Sequence, residues 1–284
     1  ILGDWEKPYL TMDYNSEAII LEEFSKFLFN DSLYRGSKPV MWSPVEKTAL
    51  AEAEIEYKDI SSKSIYVAFE ISSSKNLLFK NAEVIIWTTT PWTIPGNQAI
   101  AFGKNIDYSL IKIITSTNLD LVKKKYILAS QLIEQVFEDS EFFEYEVIKT
   151  FKGEGLKEII CYHPLKKQGF NQEVPLLEAD FVDNTEGSGF VHIAPAYGED
   201  DYYLAEKNNI SIIDILNDNG TYKKGIPLLE GVHVFKAHEL IIEKINLNNK
   251  LVRVRQYNHS YPHSWRSKKP IIYRATPQWF ISME

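Results

Sequence analysis

Two segments carry the side chains best suited to chemistry. The run Trp87-Thr88-Thr89-Thr90-Pro91-Trp92-Thr93-Ile94-Pro95-Gly96-Asn97 offers a row of neutral hydroxyls and an amide. The loop Gly187-Ser188-Gly189-Phe190-Val191-His192-Ile193-Ala194-Pro195-Ala196-Tyr197-Gly198-Glu199-Asp200-Asp201 offers a histidine, with a carboxylate nine residues later. Hydroxyls, an imidazole and an ionised Asp together suit a small ligand that bears both hydroxyl and amino groups, since a carboxylate pairs with an ammonium through charge-assisted hydrogen bonds. Each feature also has a plain structural reading. Threonines are ordinary β-branched strand residues, a lone His in an apolar strand is commonly a satisfied core residue, and Asp at a helix start complements the helix dipole.

The local order of residues favours a site. A strand ending at Thr90-Pro91 cannot continue as a regular central strand, so the last hydroxyls face whatever lies beyond it. Asn97, after Pro95-Gly96, belongs on a turn with its amide aimed at the same space. Gly187 and Gly189 permit close backbone approach before His192, while Pro195 and Gly198 force a loop that brings Asp200 and Asp201 to the start of the next helix. One of the two aspartates is then free to cap and the other to face a ligand. No convincing Ser-His-Asp or Cys-His nucleophile set is present, and no metal-ligand spacing.

The elements around these segments are mixed. Ser16–Asn30 carries Ile20, Phe24, Phe27 and Leu28 at helical spacing, with Asn15 or Ser16 available as its cap. From Ser64 the period becomes two, through Ile65, Val67, Phe69 and Ile71, and strand-like runs follow at Glu83–Thr89, Ala99–Phe102, Tyr108–Ile114, Glu144–Phe151, Val174–Ala179 and Phe190–Ile193. Helical patterns fall at Ala129–Phe137, Asp200–Lys207 and Lys236–Ile245, and turn signals at Lys152-Gly153 and Asn219-Gly220. Many short strands with scattered helices predict an α+β, β-rich chain: a closed or nearly closed β-barrel with peripheral helices and a stem formed by the two chain ends. The expected division is 1–60 as an N-terminal helical and stem segment, 61–250 as the β-rich body and 251–284 as the returning stem.

The bulk properties bound the partners. A chain of 284 residues supports one sizeable core with attachments. It begins at Ile1 without a basic segment and apolar run, so it reads as an excised piece without a signal peptide. The uncharged stretch Val84–Gly103 contains two prolines and four threonines, which suits a buried strand, a turn and a second strand better than a membrane span. Cys161 is the single cysteine, suited to packing and to a reducing compartment, with the cytoplasm as the expected location. A net charge of −8 argues against a protein that coats nucleic acid over its whole surface. Residues 250–274 nevertheless hold Lys250, Arg253, Arg255, Arg266, Lys268, Lys269 and Arg274 without an acid, which reads equally as a phosphate-binding strip or as a seam against acidic segments.

The two site segments resemble those of the editing domain inserted into class I isoleucyl-tRNA synthetases, and the likeness runs along the whole chain. Leu2-Gly3-Asp4-Trp5 with Pro8-Tyr9-Leu10-Thr11-Met12-Asp13 resembles the way into that insertion, and Ala49-Leu50-Ala51-Glu52-Ala53-Glu54 a stem segment. Ser260-Tyr261-Pro262-His263 with Arg274-Ala275-Thr276-Pro277-Gln278-Trp279-Phe280 resembles the way out. Valyl and leucyl relatives typically carry Arg at the place of Thr90 and an acid at that of Trp92, so the run favours the isoleucine branch. Many members hold zinc with stem cysteines; here those places read Ser43, Glu46, Ser264 and Ser267, so the stem is expected to be free of metal. The synthetic-site signatures for ATP and Mg are missing, so aminoacylation is not expected.

The resemblance implies hydrolysis of valine wrongly attached to tRNA(Ile), together with valyl adenylate, without a cofactor. The implied partners are the valine-bearing 3′ end of the tRNA and the remainder of the synthetase, in a monomer that avoids membranes. Asp201 is implied to anchor the substrate ammonium and His192 to wall off larger side chains. Thr89, Thr90, Thr93 and Asn97 are implied to hold the terminal adenosine, the ester and the attacking water, with Thr88, Trp92, Gly189, Ala194 and Asp200 as further binding positions. The alternatives are an insert that positions tRNA without catalysis, using the basic strip, and an editing domain of the valyl or leucyl type.

Overall fold

Alternation along the central strands feeds two cores at once. In the computed structural model, which describes residues 3–138 and 143–283, Ile65, Val67, Phe69 and Ile71 enter the main core with Val84 and Ile86, while the intervening Tyr66 and Ala68 enter a second core with Ile85, Ile111 and Tyr126. The residues between the apolar positions are therefore buried too, because the sheet is covered on both faces here. Removing a fully buried ring such as Phe69 would cost on the order of 3–5 kcal/mol.

The elements, in chain order, are α1 (Tyr14–Phe29), β1 (Leu33–Ser43), β2 (Thr48–Ala49), β3 (Ile55–Ser73), β4 (Ala82–Thr88), β5 (Ala99–Phe102), β6 (Asp107–Thr115) and β7 (Lys125–Ala129). There follow α2 (Ile133–Phe137), β8 (Glu144–Lys152), β9 (Ile160–Tyr162), β10 (Glu173–Glu178), β11 (Phe190–Ile193), α3 (Glu199–Lys207), α4 (Val234–Leu247), β12 (Leu251–Ser264) and β13 (Ile272–Ile281). One sheet has the order β13-β1-β2. The other runs β12-β3-β9-β10-β5-β11-β4-β7-β6-β8 with an added β3–β4 pairing, so six of its strands close a ring. The chain is thus β-rich α+β with a ring-like sheet, as the strand pattern predicts.

The chain falls into two units, Ile1–Lys38 with Thr276–Glu284, and Pro39–Ala275. The expected segments 1–60 and 251–284 each contribute to both. In the first unit, α1 is capped by Asp13, whose carboxylate accepts from the Asn15 amide, so the cap lies before the expected Asn15 or Ser16. Its apolar side chains Ile20, Phe24, Phe27 and Leu28 are all exposed. Tyr34 and Phe280 stack in the same unit. Leu2 of the resemblance lies outside the described residues.

The second unit contains both site segments. Its longest ladder joins β12 to β3 from Leu251↔Val67 to Ser264↔Ile55. Alternating Arg, Tyr and His in β12 disguise a strand that pairs over its full length. Among the described residues, no helix is long and apolar enough to cross a membrane.

Candidate functional site

The threonine run ends a strand and starts a tight turn. β4 stops at Thr88, and Pro91–Gly96 forms a buried 3₁₀ helix with Pro91 at its first turn, where a missing N–H does no harm. Three side chains from elsewhere hold the carbonyls of this turn. Tyr222 Oη donates to Trp92 O at 2.6 Å, His163 Nε2 lies 2.9 Å from Ile94 O, and Gln172 Nε2 donates to Asn97 O at 3.2 Å. Helix α4 packs against the same turn. The hydroxyls of Thr88, Thr90 and Thr93 are linked in series, each 3.3 Å from the next.

The second segment pairs with the first. β11 runs parallel to β4 with Val191 opposite Trp87, and antiparallel to β5 with His192 opposite Ile100. Gly187 and Gly189 both have φ of +78°, and a Cβ on Gly189 would lie 2.4 Å from that of Ala129. Only glycine fits both the backbone and the contact. Beyond β11, Gly198 leaves room for Asp201 to fold back from the first turn of α3, and Asp201 Oδ2 accepts from the Ala194 amide at 2.7 Å.

A cavity of ≈ 380 Å³ opens between the two segments. Its walls include Thr88, Thr89, Thr90, Thr93, Gly189, His192, Ala194 and Asp201 from the sequence-derived set. Trp92, Asn97 and Asp200 do not line it. Trp92 is buried behind the turn, edge-on to Tyr197 with ring centroids 5.3 Å apart. Asn97 is fully buried and touches His192 instead of the open space. Asp200 is exposed on α3, whose cap is Gly198 with no side-chain cap bond, so neither aspartate caps in the expected way.

Sequence reasoning passed over Trp87, Phe181, Asp183, Thr185, Glu186 and Tyr197, which also line the cavity, as do Gly187, Phe190 and Val191. The signal available for Tyr197 was its place inside the same loop. Its hydroxyl accepts from Ile215 N–H at 2.8 Å and donates to Asp214 Oδ1 at 3.1 Å. Asp214 Oδ2 in turn receives Lys223 at 2.9 Å and Arg274 Nη2 at 3.1 Å, and the Ala275 amide bonds Ala196 O at 2.7 Å. Such long-range partners carry no sequence signature.

The cavity is anionic. Asp183, Glu186 and Asp201 line it, and no Lys or Arg does so among the described residues. Burial pushes the Asp201 carboxyl up to about 6, against the opposing effect of the Ala194 N–H and with a further push from Asp200. It is therefore still mostly ionised at neutral pH. Burial drives the His192 imidazole down to about 3, reinforced by His163, so it is neutral. Asp183 is held low by hydrogen bonds from Thr185. Such a space attracts an ammonium and opposes a phosphate.

The basic residues of 250–274 behave otherwise. Lys250 bonds Glu70 and Glu83, Arg253 the carbonyls of Gln135 and Val136, Arg255 Glu138, Lys268 Glu56, and Arg274 Asp214 and Asp218. Five of the seven are engaged within the chain, which makes the strip chiefly a seam. At the β1–β2 turn, Glu46 Oε1 accepts from Ser264 Oγ at 2.8 Å and Ser267 N at 3.0 Å, while Ser43 Oγ accepts from Glu46 N. Three hydroxyls and one carboxylate lack the thiolate or imidazole donors that zinc selects, and no metal-holding cluster of His, Cys, Asp or Glu occurs among the described residues.

With this geometry in hand, the fold has counterparts of known structure. It is shared with the crystal structure titled GlLeuRS-CP1 (TM-score 0.52, 12% identity, 69% of this chain and 100% of that one) and with the editing domain of P. knowlesi cytosolic leucyl-tRNA synthetase (TM-score 0.51, 12% identity, 69% of this chain and 97% of that one). The architecture is thus that of synthetase editing domains. All of residues 1–284 match the profile of tRNA synthetases class I (I, L, M and V), and the chain belongs to that family. Among curated relatives it is 49% identical over 284 residues to the isoleucine–tRNA ligase of Pelagibacter ubique (strain HTCC1062) and 42% identical over 299 residues to that of Gluconobacter oxydans (strain 621H). It is covered completely in both alignments and spans 31% of each relative's length.

Proposed function

We propose that this chain is the proofreading part of an isoleucine-specific synthetase, hydrolysing the ester that joins valine to the 3′ end of tRNA(Ile). The observation that carries this reading is a cavity that combines hydroxyls, an ionised Asp201 and a neutral His192 and, among the described residues, lacks a cationic lining side chain. An aminoacyl ester presents one ammonium and neutral ribose hydroxyls, which this lining matches. A valyl adenylate places its phosphate directly beside the aminoacyl group, where it would meet an anionic lining without a balancing cation, whereas the nearest phosphate of the tRNA ester lies on the far side of the ribose; the ester is the favoured substrate.

In the proposed reaction, water attacks the ester carbonyl carbon, the carbon–oxygen bond to the ribose breaks, and the proton lost by water passes to the departing ribose oxygen. Asp201 fixes the ammonium, the threonine hydroxyls stabilise the developing oxyanion, and positioning supplies much of the rate. His192 limits side-chain size. A second sieve is needed because one methylene is worth only about 1–3 kcal/mol in an apolar pocket, a limit for which isoleucine-specific synthetases are the standard illustration.

The same reading assigns the other expectations. No cofactor is required, and the Ser43–Glu46–Ser264–Ser267 cluster replaces zinc by hydrogen bonds. The exposed apolar face of α1, with Ile20, Phe24, Phe27 and Leu28, suits packing against the remainder of a longer synthetase in the cytoplasm. The internally paired basic strip weighs against an insert that only positions tRNA, and Thr90 in place of Arg against a valyl or leucyl type. The test is hydrolysis of valyl- against isoleucyl-tRNA(Ile) by the whole chain, with Asp201→Ala as control. Loss of the valyl ester alone, and with the native chain alone, is the expected result; equal loss of both esters, or of neither, would refute it.

A further inference from the structure

We infer that Asn97 locks His192 as the neutral tautomer protonated on Nε2, so that the histidine serves the site as a hydrogen-bond donor and a wall and takes no part in proton transfer. This rests on the proposed site but not on its hydrolytic activity.

The argument begins with two carbonyls. Asn97 is fully buried, and its Nδ2 lies 2.8 Å from Ala99 O and 3.4 Å from Ile193 O. Both are pure acceptors, so the amide nitrogen must face them; the reversed amide would set its oxygen against two carbonyl oxygens. Nδ2 is also 2.7 Å from His192 Nδ1. An amide nitrogen donates and does not accept, so Nδ1 supplies the lone pair and carries no proton. A neutral imidazole with a bare Nδ1 is protonated on Nε2, and this atom is 3.0 Å from Thr93 Oγ1. Nε2–H therefore donates to Thr93. The Thr93 hydroxyl passes its own hydrogen to Thr90 O at 2.8 Å.

The result is a one-way chain from Asn97 through His192 and Thr93 to the Thr90 carbonyl. Both ring nitrogens are committed, so His192 can neither take a proton from water nor supply one. Thr93 has no hydrogen left for a ligand and acts as a positioning residue. The Thr90 amide is spent on Thr88 Oγ1 at 3.1 Å. The Thr90 hydroxyl, facing a Thr93 oxygen whose hydrogen is spent, donates to it and in turn accepts from Thr88 across the two 3.3 Å contacts. Donation to a developing oxyanion thus falls first to Thr89, whose hydrogen no internal acceptor claims among the described residues. Asn97, which does not line the cavity, sets this polarity from behind the wall.

The experiment is ¹⁵N-histidine NMR of the whole chain, with the His192 ring signals assigned by their loss in His192→Gln. The expected pattern is a protonated Nε2 and a bare Nδ1, unchanged from about pH 5 to 8, where an ordinary histidine titrates. A protonated Nδ1, or titration of the ring in that range, would overturn the inference. In Asn97→Asp a carboxylate replaces the donor, and the proton should move to Nδ1 or the ring should become charged; a folded variant with the native pattern would show that Asn97 does not set the tautomer. The wild-type spectrum decides should that variant fail to fold. A chain with the expected spectrum and no esterase activity would refute the editing proposal while leaving the tautomer assignment intact.

Discussion

Two places in the second unit bring hydroxyls together with a carboxylate, and they end in opposite states. Around Glu46, the donors of Ser264 and Ser267 converge on one carboxylate oxygen, and hydrogen bonds from Ser43, Ser264 and Ser267 outweigh burial and hold its pKa below the ordinary value. Around Asp201, a single backbone amide is the partner among the described residues, burial wins, and the pKa rises. The first cluster spends its polarity on itself and joins the β1–β2 turn to the end of β12. The second keeps hydroxyls and charge directed at an open volume. The same residue types thus make a joint or a site according to how many internal donors reach the acid.

Asp201→Asn tests this contrast most strongly. It should lower hydrolysis of the valyl ester by about 10²–10³-fold, the scale of a lost electrostatic contact in a reaction site. The same change should raise thermal stability at neutral pH. The folded pKa of Asp201 lies above its unfolded value, so its contribution is favourable in acid and is lost as pH rises through about 6; the isosteric amide escapes that loss. Melting curves at pH 4 and 8 would check this, and a destabilised variant at pH 8 would contradict it.

His192→Ala should act less on rate than on choice. Discrimination between valyl and isoleucyl esters should shrink by about tenfold or more, the worth of roughly one to two methylene-sized contacts, as measured by the ratio of kcat/KM values. An unchanged ratio would remove His192 as the wall.

Glu46→Ala should have the smallest effect on chemistry. It strips the acceptor from Ser264 and Ser267 and should cost about 1–3 kcal/mol of stability, with valyl-ester hydrolysis unchanged below the melting range. Because the folded pKa of Glu46 is lowered, its stabilisation is present above the unfolded pKa and fades as pH falls through the folded one, so the variant and native chain should converge in acid. A chelator should leave the native melting temperature where it is; a fall would mean that a metal holds this turn.

Much of the site was legible because its signals are local. Thr90-Pro91, Gly187, Gly189 and Gly198 each dictate backbone geometry within a few residues, and the strands Ala99–Phe102 and Phe190–Ile193 stand where their apolar runs indicated. What failed depended on distant partners. Asn97 points at His192 because β5 and β11 place Ala99 and Ile193 beside it, a register that the segment itself does not encode. Tyr197 belongs to the wall through Asp214 and Arg274. β12 falls in the segment that stands out in the sequence only as a basic strip and returning stem, because its strand period is carried by Arg, Tyr and His rather than by aliphatic residues. The cap of α1 shifted to Asp13 because several capping residue types stand side by side there.

The engagement of the basic strip has a consequence for how this surface would meet RNA. Cations already paired with Glu70, Glu83, Glu138, Glu56 and Asp214 are not free to neutralise phosphates and would displace few of the counterions condensed on a nucleic acid, whose release is the main source of salt-sensitive affinity. A nucleic acid resting on residues 250–274 would therefore feel added salt only weakly. Its grip would come from shape and from uncharged contacts, so it would be slow to be captured from a distance and tolerant of ionic strength once seated.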